Sequence, residues 1–419
     1  MRYVCGLDIG SSKIAGCLGI FKNGRLDNLF WDSLPVSAIK RGQCQDFTGL
    51  TNSLTQLLKN LKVKSGVKIK SVYLAITSQN ISVKHSQAII ALAERGNRAV
   101  SKRDIQNVNQ QARILGSSLE EEIIYTEPQG YTIDEESKVI NPLGLYGHQL
   151  KVDLYLILTK VSYINTIIEL INRLGLHLND INLSGLAVGQ AVFGTDRKTG
   201  LNILCDIGKD ITQILIFNEA RLSHYQTIAY GGDNLTDSLI QKLKVPYSLA
   251  EEIKISHGRV QNNLDTQDRE IIIKKDTGYT TLSQNKVIDI LSHSSMDIAE
   301  AIRDIIKSQI LLISSPILPR EPNVYICGRS ACLEGFLEIL EVVMGMPVKM
   351  ARLSNSGLLT PLLRRRIFSG EPILNYLVCL GLIANAINFP HKKEYSHYSL
   401  RNLLPYFAEK AKQIYHEYF

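Results

Sequence analysis

The sequence predicts an α/β fold built twice, as two similar lobes facing one another. Three observations carry this. Tyr3-Val4-Cys5-Gly6-Leu7-Asp8-Ile9-Gly10-Ser11-Ser12-Lys13 is an apolar strand that ends on an aspartate and turns at once. The pattern returns at Leu201-Asn202-Ile203-Leu204-Cys205-Asp206-Ile207-Gly208. Each copy is followed by a returning strand, Ile14 to Ile20 and Ile211 to Phe217, with no room for a helix between. After a short turn (Asn23-Gly24, a preferred hairpin turn, and Asn218-Glu219-Ala220) a third strand follows.

The tip of the first hairpin carries Gly10, Ser11, Ser12 and Lys13. Backbone N–H groups, hydroxyls and an ammonium at a tight turn suit a phosphate. Asp8 at the strand end is placed to hold a hydrated cation beside it. Alone, this pattern is more often that of a plain hairpin; with the echo at Asp206 it suggests two facing domains, between which a nucleotide would have its phosphates gripped from both sides.

Composition sets bounds. A chain of 419 residues holds several domains. At 45% hydrophobic and 21% charged it is neither a disordered nor a fibrous chain. A net charge of +7 over this length makes no strong case for nucleic acid, though it favours an anionic surface. The seven cysteines are scattered without a CxxC pair and read as reduced core thiols. Asp8 interrupts the N-terminus where a signal peptide would be apolar, so no export is expected. The longest apolar stretch, Tyr376 to Ile387, is too short to span a bilayer and reads as a buried core helix.

In order, residues 1–32 form the first meander. Phe47, Leu50, Leu54, Leu57, Leu58 and Leu61 recur at helical spacing behind Asp46 as N-cap, and Val72 to Ile76 is a strand. Residues 77–160 read as an inserted α+β module: strands at Ile81 to Val83 and Ala88 to Ala91, a helix from Ser101 to Leu115 with Ser101 and Asp104 close to a capping box, a strand at Ile123 to Tyr125, a polar turn at Pro128-Gln129-Gly130, and strands at Tyr131 to Asp134 and Val152 to Thr159. Arg95, Arg98, Lys102 and Arg103 there form a solvated face or an anion site. Ile164, Ile167, Ile168 and Ile171 give the next helix, stopped by Gly175.

The second meander leads to Gly231-Gly232-Asp233 and a helix from Leu235 to Leu243. This is a simple turn before a helix, or a glycine pair that lets backbone approach a ligand. Glu251 and Lys254 share a helix face, as a surface ion pair or as ligand contacts. Ile288 to Ile313 is a long helix, Asn323 to Cys327 a strand into the turn Gly328-Arg329-Ser330, and Phe336 onward a helix. Arg364-Arg365-Arg366 reads as an exposed basic patch, and 389–399 as a polar linker. Beyond it Leu403, Leu404, Phe407, Ala411, Ile414, Tyr415 and Tyr418 fall on one helical stripe, which either docks on its own domain or lies in a membrane interface.

Over nearly its whole length this order resembles the FtsA family, actin-like bacterial cell-division proteins that tether the tubulin-like FtsZ to the membrane. Asp8 to Lys13 is similar to the family's first phosphate motif, Asp206-Ile207-Gly208 to the second, and Val324 to Gly328 to the adenosine motif. Gly231-Gly232-Asp233 and Ala250-Glu251-Glu252-Ile253-Lys254 match as well. Ser71 to Ile76 leading into Gln79-Asn80-Ile81-Ser82, then Pro128 to Asp134 and Asn141 to Leu145, are similar to signatures of the inserted subdomain.

The resemblance implies an actin-like, ribonuclease H-like duplicated fold. Its first lobe would be 1–80 with 161–195 and 352–388, its inserted subdomain 81–160, its second lobe 196–229 with 288–351, and the small subdomain on that lobe 230–287. It implies ATP with Mg2+ held by Asp8, Gly10, Ser11, Ser12, Lys13, Asp206, Gly208, Thr212, Gly231, Gly232, Glu251, Lys254, Gly328, Arg329 and Ser330, the metal lying at Asp8 and Asp206. It implies self-assembly into filaments, the FtsZ C-terminal tail and other divisome proteins as partners, no nucleic acid, and a place on the inner face of the cell membrane at the division site through helix 400–419.

The second loop departs from the family pattern: Lys209, Asp210 and Gln213 stand where two glycines and an aspartate are usual, and Arg329 replaces a glycine. These changes speak against efficient hydrolysis. Ile290-Leu291 replace a usual Pro-Arg near the region that receives the FtsZ tail. The other readings are a PilM-like pilus-assembly adaptor, or a degenerate actin-like ATPase or kinase.

Overall fold

The computed structural model describes residues 2–93, 96–136, 138–194, 200–260, 268–275, 278–313, 321–354 and 373–388. The Arg364-Arg365-Arg366 patch, the 389–399 linker and the 400–419 helix lie outside the described residues.

The first meander is β1 (Arg2–Ile9), β2 (Lys13–Lys22) and β3 (Arg25–Pro35), with β1 and β2 paired from Arg2↔Phe21 to Ile9↔Ile14. A small hairpin, β4 (Ile39–Lys40) and β5 (Gln43–Cys44), leads to α1 (Phe47–Ser65). The Asp46 carboxylate caps α1 by accepting from the Gly49 amide at 2.9 Å. The helix buries Leu50, Leu54, Leu57 and Leu61, four residues at the spacing of one helical face. β6 (Ser71–Ile76) then pairs parallel with β1.

The insertion follows as β7 (Ser82–Ala91), β8 (Arg98–Ala99), α2 (Lys102–Gly116), β9 (Glu121–Ile133), β10 (Tyr146–Gly147) and β11 (Gln149–Lys160), with sheet order β7-β11-β9. The α2 capping box is complete: Ser101 and Asp104 each bond the other's backbone amide. Asp104 also holds Arg98 through two hydrogen bonds, of 2.8 and 2.9 Å.

Two expectations are corrected here. Ser82, Val83 and Ala88–Ala91 belong to one strand, β7, because β11 pairs along its whole length, and Ile81 lies just before it. Pro128-Gln129-Gly130 is no turn but part of β9. Leu154 faces Pro128 and Asp153 faces Gly130, so Gln129 is an extra bulged residue. An edge strand tolerates a proline, since its missing N–H has no neighbour to meet. The bulge carries the Gln129 side chain to the carbonyl of Leu222, 2.9 Å away in the opposite lobe.

After α3 (Val161–Arg173), β12 (His177–Leu183) and α4 (Ser184–Phe193), the first sheet closes in the order β3-β2-β1-β6-β12. The second lobe repeats it. β13 (Leu201–Ile207), β14 (Thr212–Asn218) and β15 (Arg221–Ile228) form the meander, followed by α5 (Gly232–Leu243), α6 (Tyr247–His257), the hairpin β16 (Glu270–Lys275) and β17 (Gly278–Ser283), and α7 (Gln284–Ile313). With β18 (Asn323–Cys327), α8 (Phe336–Met344) and β19 (Val348–Met350), the second sheet reads β15-β14-β13-β18-β19. Each sheet is therefore three antiparallel strands plus two parallel ones, in the same spatial order. This is the duplicated actin-like two-lobe fold with an inserted α+β unit. Ile290 and Leu291 are buried in the core of the second lobe.

A final helix, α9 (Leu377–Asn388), is buried as the apolar run predicts. It and α4 lie between the sheets, and a glycine sits at each contact. A Cβ on Gly6 would meet the Cys379 carbonyl at 2.7 Å; one on Gly381 would meet that of Ala187 at 1.7 Å; one on Gly185 would meet Leu215 at 2.6 Å. The series sheet, α9, α4, sheet is thus packed closer than side chains would permit. One core runs through it, from Leu7 and Leu18 to Leu204 and Leu215.

Candidate functional site

Three residues, Gly10 to Ser12, join β1 to β2, and four, Gly208 to Ile211, join β13 to β14. Each turn is closed by the same bond: the Gly10 amide donates to the Lys13 carbonyl at 3.1 Å, and the Gly208 amide to the Ile211 carbonyl at 3.0 Å. Between the turns lies a cavity of about 210 Å3. Asp8, Gly10, Ser11, Ser12 and Lys13 line one side; Asp206, Gly208, Lys209 and Asp210 line the other. Gly232, Glu251 and Lys254 reach it from α5 and α6, and Gly328, Arg329 and Ser330 from the turn after β18. Gly328 is required there: its φ is +93°, and a Cβ would fall 2.1 Å from the Ile207 carbonyl.

Asp8 and Asp206 end equivalent strands and feel each other's charge. Burial pushes the Asp8 carboxyl up to about 7; Lys13 opposes this and Asp206 adds to it. Burial raises Asp206 too, against the Cys327 hydrogen bond and Lys13. Two carboxylates held this way fit a hard dication, which would offset both costs, with phosphate and water oxygens completing its shell. Among the described residues no cluster of three or more His, Cys, Asp or Glu forms a metal site. The glycine turns that a Cβ would fill fit a phosphate chain: one on Gly208 would lie 2.8 Å from the Ile211 carbonyl.

Three of the cavity's cations, all lysines, are committed to the protein. Lys13 Nζ donates to the Asn375 carbonyl at 2.7 Å and lies 5.6 Å from the centre of the Tyr376 ring. Burial lowers its pKa, against the pull of Asp8. Lys209 lies over the ring of Tyr247, whose hydroxyl donates to Asp233 at 2.8 Å. Lys254 donates to the Gly232 carbonyl at 3.0 Å and the Thr236 hydroxyl at 2.8 Å, and pairs with Glu251 at 2.6 Å. Burial raises the Glu251 carboxyl, but its bonds from Lys254 and Thr236 outweigh this and hold it low. So Glu251 and Lys254 are both an ion pair and part of the cavity wall.

Two expected residues stand back from it. Thr212 is fully buried, its hydroxyl donating to the Tyr230 carbonyl at 2.8 Å. Gly231 backs the second turn, where a Cβ would meet the Lys209 carbonyl at 2.6 Å. Leu403, Leu404, Phe407, Ala411, Ile414, Tyr415 and Tyr418 lie outside the described residues.

Sequence reasoning missed the bridge between the lobes. Gln213 Nε2 donates to Ser184 Oγ at 2.8 Å and lies 3.3 Å from Asp206 and 3.4 Å from Thr77. Its Oε1 accepts from the Tyr225 hydroxyl at 3.1 Å and the Gly185 amide at 3.3 Å. No motif marks these residues; the nearest signal was that Gln213 stands where an acid is usual.

Residues 78–158 match the family described as the SHS2 domain inserted in FtsA, and residues 203–364 match the family described as cell division protein FtsA. The chain belongs to the FtsA family. It is 25% identical over 401 residues to the cell division protein FtsA of Buchnera aphidicola subsp. Baizongia pistaciae, across 94% of this chain and 93% of that one. It is also 25% identical to FtsA of Pseudomonas aeruginosa, over 90% of this chain and 89% of that protein. Among solved structures, a PilM–PilN type IV pilus biogenesis complex shares the fold, with a TM-score of 0.62, 15% identity, and coverage of 92% of this chain and 98% of that one. As a family member the chain is a cell division protein. No helix among the described residues is long and apolar enough to cross a membrane.

Proposed function

We propose that this chain binds a magnesium adenine nucleotide, ATP in the form the family resemblance implies, between its two Asp-Ile-Gly turns. It does so as a structural ligand while assembling with copies of itself in an actin-like manner. In this reading it tethers the FtsZ ring, through the FtsZ C-terminal tail, to the cytoplasmic face of the membrane by its 400–419 helix and recruits later division proteins. The observation that carries the nucleotide part is the pairing of Asp8 and Asp206 at the ends of equivalent strands, across a cavity with a glycine turn on either side.

The nucleotide sets the angle between lobes, and filament contacts read that angle. Turnover is slow, because the carboxamide of Gln213 is tied to Ser184 and Tyr225 and supplies no base. The tail-binding and membrane parts rest on the family and on the apolar stripe of the terminal helix. A polymer carrying many weak anchors holds a membrane by avidity.

Calorimetry of the whole chain with ATP and with ADP, each with magnesium, tests the nucleotide part. Heat of binding that disappears in Asp8→Ala supports it. No binding by the wild-type chain and none by any cleft variant overturns it.

A further inference from the structure

Asp210, the third residue of the second turn, does not point its carboxylate at solvent. Its Oδ1 accepts from Ser11 Oγ of the first turn at 2.8 Å, and its Oδ2 accepts from the backbone amide of Arg41. The Arg41 amide is a built donor. Arg41 and Gly42 are the two central residues of the β4–β5 hairpin, with φ of 49° and 73°, the pair of positive values that a two-residue primed turn requires. The hairpin is wedged in place, since a Cβ on Gly42 would lie 1.8 Å from the Thr77 carbonyl. Two anionic oxygens from one lobe therefore meet a hydroxyl and an oriented amide from the other, at the mouth of the cavity that the two turns enclose. Phosphoryl oxygens present that same acceptor pattern to hydroxyls and backbone amides.

Resting on the nucleotide reading above, we infer that Asp210 is a built-in stand-in for the terminal phosphate: it closes the cleft without nucleotide and makes a triphosphate a poorer ligand than a diphosphate. The geometry sets the order of preference. A chain of two phosphates occupies the turns with Asp8 and Asp206 behind it. A third phosphate adds negative charge where Asp210 already sits, and takes the partners that Asp210 holds. Lys13 and Lys254 are engaged by Asn375 and Glu251, so they do not cancel that repulsion at no cost.

The test has two readouts on the whole chain. In the nucleotide-free protein, hydrogen exchange at the Arg41 amide reports the latch directly, and Asp210→Ser is expected to remove its protection. In calorimetry with magnesium, the wild-type chain is expected to bind ADP about tenfold more tightly than ATP, and Asp210→Ser to erase that ratio by tightening ATP. Ser11→Ala, which removes one arm only, shifts both readouts the same way by less and covers the case in which Asp210→Ser misfolds. Unchanged Arg41 protection in both variants overturns the closure. An ATP-to-ADP ratio that is the same in wild type and variants overturns the competition while leaving the nucleotide reading intact. Failure of every protein to bind either nucleotide overturns the nucleotide reading, and the competition with it. Binding gained only in the variants supports the latch in its strongest form.

Discussion

The backbone of Gly381 in α9 sits so close to the carbonyl of Ala187 in α4 that a single methyl group would stand 1.7 Å from that oxygen. This contact joins the two lobes, because α9 lies on the first sheet and α4 reaches the second through Gly185 and Leu215. Gly381→Ala must therefore push two buried helices apart. It is expected to cost about 2–3 kcal/mol in urea unfolding. Gly278→Ala, where nothing lies within 4 Å, is the control and is expected to stay near wild type.

Gln213 is the neutral bridge beside a buried acid. Gln213→Glu places a second carboxylate where Asp206 already lies 3.3 Å away, and removes the donor to Ser184. The expected loss is about 2 kcal/mol, from like-charge repulsion and a lost buried bond. Adding Asp206→Asn is expected to restore about half, as a double-mutant cycle would show. Purely additive losses would mean that the two side chains do not interact.

Asp104 gives a pH signature. Its hydrogen bonds from Arg98 lead in holding the carboxyl far below its ordinary value of 3.8; burial opposes, and the Ser101 hydroxyl and amide add to the lowering. A depressed native pKa adds stability above the unfolded value, and that stability is lost as pH falls below 3.8. Asp104→Ala is expected to cost about 1–2 kcal/mol at neutral pH. The gap between variant and wild type should close on acidification below pH 4, not on going to alkaline pH, when unfolding is followed across that range.

The terminal helix is tested by removal. A chain lacking residues 400–419 is expected to stay in the supernatant when vesicles of bacterial lipid are pelleted, whereas the whole chain pellets with them. Retained pelleting would place the anchor elsewhere.

Much of the fold was legible because its signals are local. The Asp46 cap and the Ser101–Asp104 box each lie within a few residues of what they contact, and the leucines of α1 announce their buried face by spacing alone. The duplication was legible because Asp-Ile-Gly recurs with the same strands after it. The Pro128 segment was misread as a turn because a proline and a glycine signal one locally. Only the partner strand β11 shows that they sit in an edge bulge.

The residues along one stretch of chain, then, determined the two Asp-ended hairpins, the glycine turns and the family. Tertiary structure alone decided what those turns do to each other. Ser11 and Asp210 are 199 residues apart, and Lys13 and Asn375 are 362. Periodicity and turn chemistry act over a few residues, so they locate each loop. Which acceptor a lysine finds, and which hydroxyl an aspartate bridges, depends on how two sheets and two glycine-packed helices bring distant loops face to face.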